Sequence, residues 1–316
     1  MPDVLVLRRG VHGMPVESYA EELRERLPDR RVAVARTPDA ERDLIADAPV
    51  ATGRTIDVDL IEHGDDLRLF ACAWAGYGHL PMDALADHDV AVTTASGVHA
   101  SNVAEHVVGA MLAHARRFRT GVRRQQRDEW RHYRATDLQG STVAVVGLGA
   151  LGSAVTERLA PFGVHTVGVR RTPDAGGPAD EVVGPGQLHD ALARASYVVL
   201  ACPLTDETEG LLGWPEFETM PPDAYLVNVA RGPVVDTDAL VAALREDRIG
   251  GAALDVTDPE PLPADHPLWN LHNVRITPHN AGHTPAYYAR LADIVAGNVD
   301  RVAETGRYED LENQVL

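Results

Sequence analysis

Thr142-Val143-Ala144-Val145-Val146-Gly147-Leu148-Gly149-Ala150-Leu151-Gly152 decides how this 316-residue chain is read. Its first five residues form an apolar, β-branched run of the kind that fills a strand buried on both faces. The glycines follow the spacing Gly-x-Gly-x-x-Gly, and Leu151, Val155, Leu159 and Phe162 then stripe a helix at three- and four-residue intervals. In that strand, turn and helix each glycine has a job: Gly147 permits the tight turn, Gly149 lets the backbone approach a pyrophosphate, and Gly152 allows close helix packing. The helix N-terminus offers unpaired N–H groups and a partial positive charge to phosphates. A dinucleotide cofactor is the expected ligand.

The end of the next strand bears on which dinucleotide. An enzyme built for plain NAD places Asp or Glu there to hold the ribose 2′-hydroxyl, but this chain reads Gly168-Val169-Arg170-Arg171-Thr172. Two guanidinium groups suit a 2′-phosphate and remove the carboxylate that would repel it. NADPH is therefore the expected preference, with NADH the alternative if both arginines are merely solvated.

Working outward, strands and helices alternate in both directions. Upstream, Val4–Leu7, Arg31–Ala35, Leu67–Ala73 and Val90–Thr94 read as strands. Val16–Leu27, Ala40–Ala46, Ile56–His63 and Met82–His88 read as helices between them. A long apolar stripe from Asn102 to Phe118 predicts a helix. After it, Arg119–Arg134, with Trp130 and Tyr133, shows no clear period and reads as an exposed arm or an oligomer contact. Downstream, Val143–Val146, His165–Val169, Tyr197–Ala201, Ala224–Asn228, Ala252–Asp255 and Val274–Ile276 predict a doubly wound sheet of about six strands. A last helix is expected over Ala286–Glu304. The fold class is α/β, with two doubly wound parallel-sheet domains.

Composition narrows the chemistry. All 29 basic residues are arginine, against 28 Asp and 19 Glu, for a net charge of −18. Without lysine there is no Schiff-base, P-loop or kinase-type lysine chemistry. The acidic balance argues against nucleic acid as a partner. Cys72 and Cys202 match no metal or redox spacing and read as buried free thiols. No signal peptide or membrane span is recognisable, so a cytoplasmic location is expected.

Three further segments carry chemistry. Asn228-Val229-Ala230-Arg231-Gly232, Ala253-Leu254-Asp255-Val256 leading to Pro259-Glu260-Pro261-Leu262, and Thr277-Pro278-His279-Asn280-Ala281-Gly282 follow the glycine loop in order. Cys202-Pro203-Leu204-Thr205 with Thr208, and Asn102-Val103-Ala104-Glu105-His106, lie between and before them. Together they resemble the D-isomer-specific 2-hydroxyacid dehydrogenases from about Gly76 to Gly282. The resemblance implies His279 as general acid/base, Glu260 as its hydrogen-bond partner and Arg231 as the cation for a 2-oxo acid carboxylate, roles that the chemistry also requires. It implies Asp255 for the nicotinamide carboxamide. Pro203, Thr208, Ala230 and Leu151 complete the cofactor-binding set with Gly147, Gly149, Gly152, Arg170 and Arg171. Gly76-Tyr77-Gly78 is where the substrate is approached, with backbone N–H groups exposed to an anion. Tyr77 and Tyr287 are candidates for the side-chain pocket.

The resemblance further implies a Rossmann cofactor domain, residues 97–285, inserted into a flavodoxin-like substrate domain made of residues 1–96 and 286–316. Hinges are expected near Ser96–Ser101 and Gly282–Pro285, and closure would exclude water. A homodimer through the Asn102–Phe118 helix and the Trp130 arm is the expected assembly. Two other readings stay open: a nucleotide-sensing regulator on this scaffold, and a relative acting on phosphoglycerate, phosphite or formate. A phosphate handle would want extra cations near the Gly76 loop, and none stands there in sequence. Finally, an Asp excess with no lysine fits a halophilic enzyme, because molar salt with a Debye length of ~3 Å screens acidic self-repulsion.

Overall fold

The computed structural model describes residues 2–11 and 13–316, which divide into two compact units, Met1–Val98 with Thr284–Leu316 and His99–His283. Both are parallel α/β layers. In the first, five strands, β1 (Val4–Val6), β2 (Val32–Val34), β3 (Val50–Gly53), β4 (Leu69–Cys72) and β5 (Ala91–Thr93), stand in the order β2-β1-β3-β4-β5. That is the flavodoxin-like order 2-1-3-4-5. The helix Tyr287–Thr305 returns to this unit and packs on Val16–Arg26, where Tyr19 and Tyr288 stack with centroids 5.0 Å apart. Buried Asn298 then fixes the chain's return by accepting from Glu312 N–H and donating to its carbonyl. The final residues bond the exposed side of β5 through Val92 and Thr94, so that edge is not left open.

β3 was not anticipated, although it is central and wholly buried. Val50-Ala51-Thr52-Gly53 is short, follows Pro49 and has no alternation, and both of its faces are covered, so period-2 reasoning has nothing to detect.

The second unit has seven parallel strands: β6 (Thr142–Val146), β7 (His165–Val169), β8 (Glu181–Val183), β9 (Tyr197–Leu200), β10 (Tyr225–Asn228), β11 (Gly251–Leu254) and β12 (Val274–Ile276). Their order, β12-β11-β10-β9-β6-β7-β8, is the Rossmann order extended by one strand. The seventh strand, β8, is a three-residue edge strand too short to register in sequence. On one face the helix Ala100–Ala115 packs against Ala150–Leu159, bringing Val103, Val107 and Met111 onto Val155 and Leu159. Met111 is fully buried, and burial of such a side chain stabilises by about 1.5–3 kcal/mol.

Arg117, at φ 51°, breaks the long helix, and Phe118–Gln125 forms a second short one where an arm was expected. Phe118 and Val122 are 55% and 52% exposed. Phe118 and Val122, one turn apart, are too short a stripe to mark a helix in sequence. Cys72 and Cys202 are buried and unbridged, and burial pushes both thiols up. Among the described residues no helix is long and apolar enough to cross a membrane.

Candidate active site

The order of the second sheet reverses between β6 and β9, and a crevice outside the carboxyl ends of strands opens at such a switch point. Gly147 turns the chain there at φ +96°, a left-handed conformation that favours glycine. A Cβ on it would stand 2.6 Å from the backbone of Cys202, just past β9. Gly152 is tighter still, since its Cβ would fall 1.8 Å from the Gly147 carbonyl oxygen. Gly149, the N-cap of the helix Ala150–Leu159, faces open space instead, with nothing within 4 Å of a Cβ. Two glycines are thus needed by the fold, and the third leaves the helix N-terminus accessible. Such a cradle fits a dinucleotide pyrophosphate. Leu151, in the first turn, packs partly buried against the core beneath.

Around this turn lie the other expected cofactor residues. Arg170 follows β7 and donates from Nη1 to the Gly176 carbonyl, while Arg171 is exposed. Among the described residues no carboxylate forms an ion pair with either. After β9, Thr208 Oγ1 donates to the Pro203 carbonyl at 2.6 Å and accepts from Thr205 N–H at 2.8 Å, which pins the Pro203–Thr208 loop.

β10 ends on Asn228, whose side chain is 1% exposed and clamps the turn beyond it. Its Oδ1 accepts from Ala230 N–H at 3.0 Å and its Nδ2 donates to the Arg231 carbonyl at 3.1 Å. The turn runs so close to the chain after β11 that a Cβ on Gly232 would lie 2.0 Å from the Thr257 carbonyl oxygen. Arg231 is thereby held at the sheet's carboxyl end with an exposed side chain, its Nη1 donating to Ala230 O at 2.6 Å.

Asp255, 4% exposed, organises the last loop. Oδ1 accepts from the Thr277 hydroxyl at 2.5 Å and from Asn280 N–H at 2.9 Å, and Oδ2 accepts from Ala281 N–H at 2.9 Å. Its backbone carbonyl accepts from His279 N–H at 2.8 Å. His279 is thus bracketed by bonds to one residue and is held at φ 51°, a strained region for a side chain other than glycine. The visible work of Asp255 is to place that loop. His106 stands 3.4 Å from the Thr277 hydroxyl and belongs to the same support.

The imidazole itself is half exposed, and Nδ1 donates to Glu260 Oε2 at 2.9 Å. Glu260 is fixed in turn by Thr257 N–H, which donates to Oε1 at 3.1 Å. With Nδ1 committed as donor, Nε2 is the nitrogen left to exchange a proton with a ligand. Arg231, Asp255, Glu260 and His279 therefore all stand at the carboxyl ends of β10, β11 and β12, on the same side of the sheet as the glycine turn.

In the other unit, Gly76, Tyr77 and Gly78 are exposed beyond β4, and neither glycine has an atom within 4 Å of a Cβ position. Tyr287 is not a pocket residue: it is 1% exposed and its hydroxyl donates to the Ala73 carbonyl, beneath the loop. Arg54 corrects the expectation that no further cation stands near this loop. Its guanidinium lies over the Trp74 ring, 5.0 Å from the centroid, and its carbonyl accepts from His79 Nε2 at 2.8 Å. Only the pairing of β3 with β4 brings Arg54 there, so without β3 it could not be found.

Residues 108–281 match the family described as D-isomer specific 2-hydroxyacid dehydrogenase, NAD binding domain. The chain belongs to the D-isomer-specific 2-hydroxyacid dehydrogenases. A glyoxylate reductase of Thermofilum pendens is 37% identical over 256 residues, 77% of this chain and 74% of that protein. Glyoxylate/hydroxypyruvate reductase B of Pectobacterium carotovorum subsp. carotovorum is 33% identical over 313 residues, 95% and 96% of the two chains. Among solved structures, a D-isomer-specific 2-hydroxyacid dehydrogenase from Xanthobacter autotrophicus Py2, in complex with NADPH and MES, superposes with a TM-score of 0.80 at 31% identity, over 100% of this chain and 98% of that one. A dehydrogenase of this family uses a nicotinamide cofactor, and the glycine turn fits one.

Proposed function

We propose that this dehydrogenase reduces small 2-oxo acids of the glyoxylate and hydroxypyruvate class to D-2-hydroxy acids, with NADPH preferred over NADH. The observation that carries the chemistry is the His279–Glu260 hydrogen bond, at the same end of the sheet as an exposed Arg231 that has no ion-pair partner among the described residues. The substrate class is supported by the names of the two reductases above, which are about one-third identical to this chain.

Arg231 pairs with the substrate carboxylate through its fixed fork of donors and polarises the neighbouring carbonyl. A reduced nicotinamide, held by Gly147, Gly149, Gly152, Pro203, Thr208 and Ala230, supplies hydride when bound. His279 Nε2 gives its proton to the carbonyl oxygen as negative charge develops there, and Glu260 stabilises the ring while Nδ1 stays protonated. In the other unit, the exposed Gly76, Tyr77 and Gly78 offer backbone N–H groups to an anion, with the Arg54 guanidinium over Trp74 as a further cation of that unit. The NADPH preference is supported by Arg171, exposed with no ion-pair partner among the described residues, beside Arg170, which braces the turn through Gly176. A homodimer is supported by Phe118, Val122 and Trp269, which leave apolar surface at one end of the unit, and by the fully exposed Trp130.

The experiment is a loss-of-absorbance assay with NADPH and with NADH against a panel of 2-oxo acids, run beside His279→Ala. Turnover with glyoxylate or hydroxypyruvate, higher kcat/KM for NADPH, and a loss of roughly a hundredfold or more in the variant with cofactor binding retained is the expected result. Tight cofactor binding with no turnover on any acid would instead make the chain a nucleotide sensor.

A further inference from the structure

Asn102-Val103-Ala104-Glu105-His106 stands out in the sequence, lies on the helix Ala100–Ala115, and has no part in the proton and hydride chemistry. Val103 and Val107 turn into the core with Met111. Asn102 and His106, one turn apart, share a neighbouring face, and that face runs along the loop that carries His279. Asn102 Nδ2 donates to the Ala281 carbonyl at 2.8 Å. His106 Nε2 stands 3.4 Å from Thr277 Oγ1 and 3.9 Å from Asp255 Oδ1. One turn earlier, the His99 ring lies so close to Gly282 that a Cβ there would meet its Nδ1 at 3.2 Å. Residues 99, 102 and 106 thus follow the loop from Gly282 through Ala281 to Thr277, at the three- and four-residue spacing of one helix face.

The two sides that hold the loop are chemically complementary. Asp255 takes donors of the loop: its carboxylate accepts from the Thr277 hydroxyl and from the N–H groups of Asn280 and Ala281, and its carbonyl accepts from His279 N–H. In all four bonds Asp255 is the acceptor, so the acceptors of the loop need donors from elsewhere. The helix supplies them. Asn102 Nδ2 serves the Ala281 carbonyl. Thr277 Oγ1 has given its one proton to Asp255 Oδ1, so in its contact with His106 it accepts, and Nε2 is the protonated nitrogen of that ring. At 3.4 Å this bond is long, and the bond to Ala281 is the stronger of the two. Backbone such as that of His279, at φ 51°, persists where its surroundings over-determine it. Acceptors on one side and donors on the other provide that over-determination.

We propose that Asn102 and His106 are positioning residues for the dehydrogenase reaction. With Asp255 they close a two-sided clamp on residues 277–281 that keeps the His279 ring at Glu260. Neither is a catalytic residue, since both act through the loop. The proposal rests on the reading of His279 as the proton donor.

The test compares full-length wild type with Asn102→Leu, His106→Leu, His106→Gln and His279→Ala. Gln carries an amide N–H at about the reach of imidazole Nε2, so it restores the donor and not the ring. Two readouts are taken: steady-state kinetics with glyoxylate and NADPH, and amide hydrogen exchange by mass spectrometry on peptides covering residues 277–282. The expected result is kcat lowered roughly tenfold in N102L and in H106L, with KM for NADPH within about twofold of wild type and most of the loss recovered in H106Q. Exchange in the loop should rise severalfold in the two Leu variants. Wild-type exchange in both overturns the clamp, and because exchange is read without substrate it does so whatever H279A shows. Faster exchange with unchanged kcat, where H279A is inactive, overturns the positioning role alone. Full turnover in H279A overturns the reading of His279 and the positioning role with it. H106Q no better than H106L would assign His106 to packing, and an NADPH KM rising in step with the fall in kcat would assign the pair to the cofactor; either result overturns the proposal. Where Leu lowers Tm by more than a few degrees or changes the molar mass by light scattering, Asn102→Ala and His106→Ala take its place.

Discussion

His279 Nδ1 lies 2.9 Å from Glu260 Oε2, and the other oxygen of that carboxylate is held at 3.1 Å by Thr257 N–H. The carboxylate is therefore aimed by backbone, and the imidazole is aimed by the carboxylate. Glu260→Gln keeps the shape and can still accept from Nδ1–H, but it removes the negative charge that steadies a protonated ring. A fall in kcat of roughly a hundredfold is expected with little change in cofactor affinity. Steady-state kinetics beside cofactor fluorescence titration decides it, and an unchanged kcat would remove Glu260 from the mechanism.

Asp255 acts one step further out. Three donors, the Thr277 hydroxyl and the N–H groups of Asn280 and Ala281, converge on its two oxygens. Asp255→Asn replaces one acceptor by a donor, so at least one N–H in a buried place loses its partner. That costs about 1–3 kcal/mol of stability. It also loosens the loop that carries His279, and a displacement of about 1 Å is enough for roughly a hundredfold in rate. Lower Tm together with lower kcat is the expected pair of results; a normal Tm with impaired cofactor binding alone would assign Asp255 to the nicotinamide and not to the loop.

How much of this was legible beforehand follows from which signals are local. The glycine turn, Arg231, Glu260 and His279 sit in contiguous motifs, so their chemistry could be read from residue types in a row. The brace around Asp255 could not, because its three donors come from a loop more than 20 residues later and meet it only through the pairing of β11 with β12. Arg54 was hidden for a similar reason, since β3 itself carries no periodic pattern.

The glycines of the turn separate fold from binding. Gly152 has a carbonyl oxygen 1.8 Å from its Cβ position, whereas Gly149 has no neighbour within 4 Å. Gly152→Ala should therefore lower stability by about 1–3 kcal/mol through backbone displacement. Gly149→Ala should leave Tm near wild type and weaken NADPH by roughly tenfold, because its methyl group stands where a phosphate must approach the helix N-terminus. Thermal melts and cofactor titrations on the two variants check this, and a reversed pattern would mean that Gly149 is the structural glycine.

His114 sets a limit in acid. Burial, aided by Arg117, pulls its pKa from 6.5 to about 4, while the unfolded chain keeps the ordinary value. As pH falls from 6.5 towards 4 the unfolded state takes up a proton that the folded state refuses, so stability is lost across that window. Allowing for the ring's partial exposure, the loss is about 2 kcal/mol at most. His114→Phe keeps the stacking on Tyr225 and removes the proton. The difference in unfolding free energy between wild type and variant should narrow or reverse in the variant's favour from pH 7 to pH 4.5, and a constant difference would show that His114 is not the group responsible.

Salt acts on two opposed terms. Even if every arginine paired with a carboxylate, 47 acids against 29 bases leave 18 carboxylates with no partner, and their mutual repulsion weakens as salt shortens the Debye length to ~3 Å at about 1 M. Salt also weakens the ion pairs, but exposed ones such as Arg36–Glu17 and Arg42–Asp59 each contribute only about 0–1 kcal/mol. Relief of repulsion wins. The Tm should rise by several degrees between roughly 0.1 M and 2 M sodium chloride, since about 1 kcal/mol moves Tm by ~2–4 °C in a domain of 150–250 residues. The rise should be matched by potassium chloride, because screening does not depend on the cation. A Tm that stays level or falls over this range would show that the acidic surface is not an adaptation to salt.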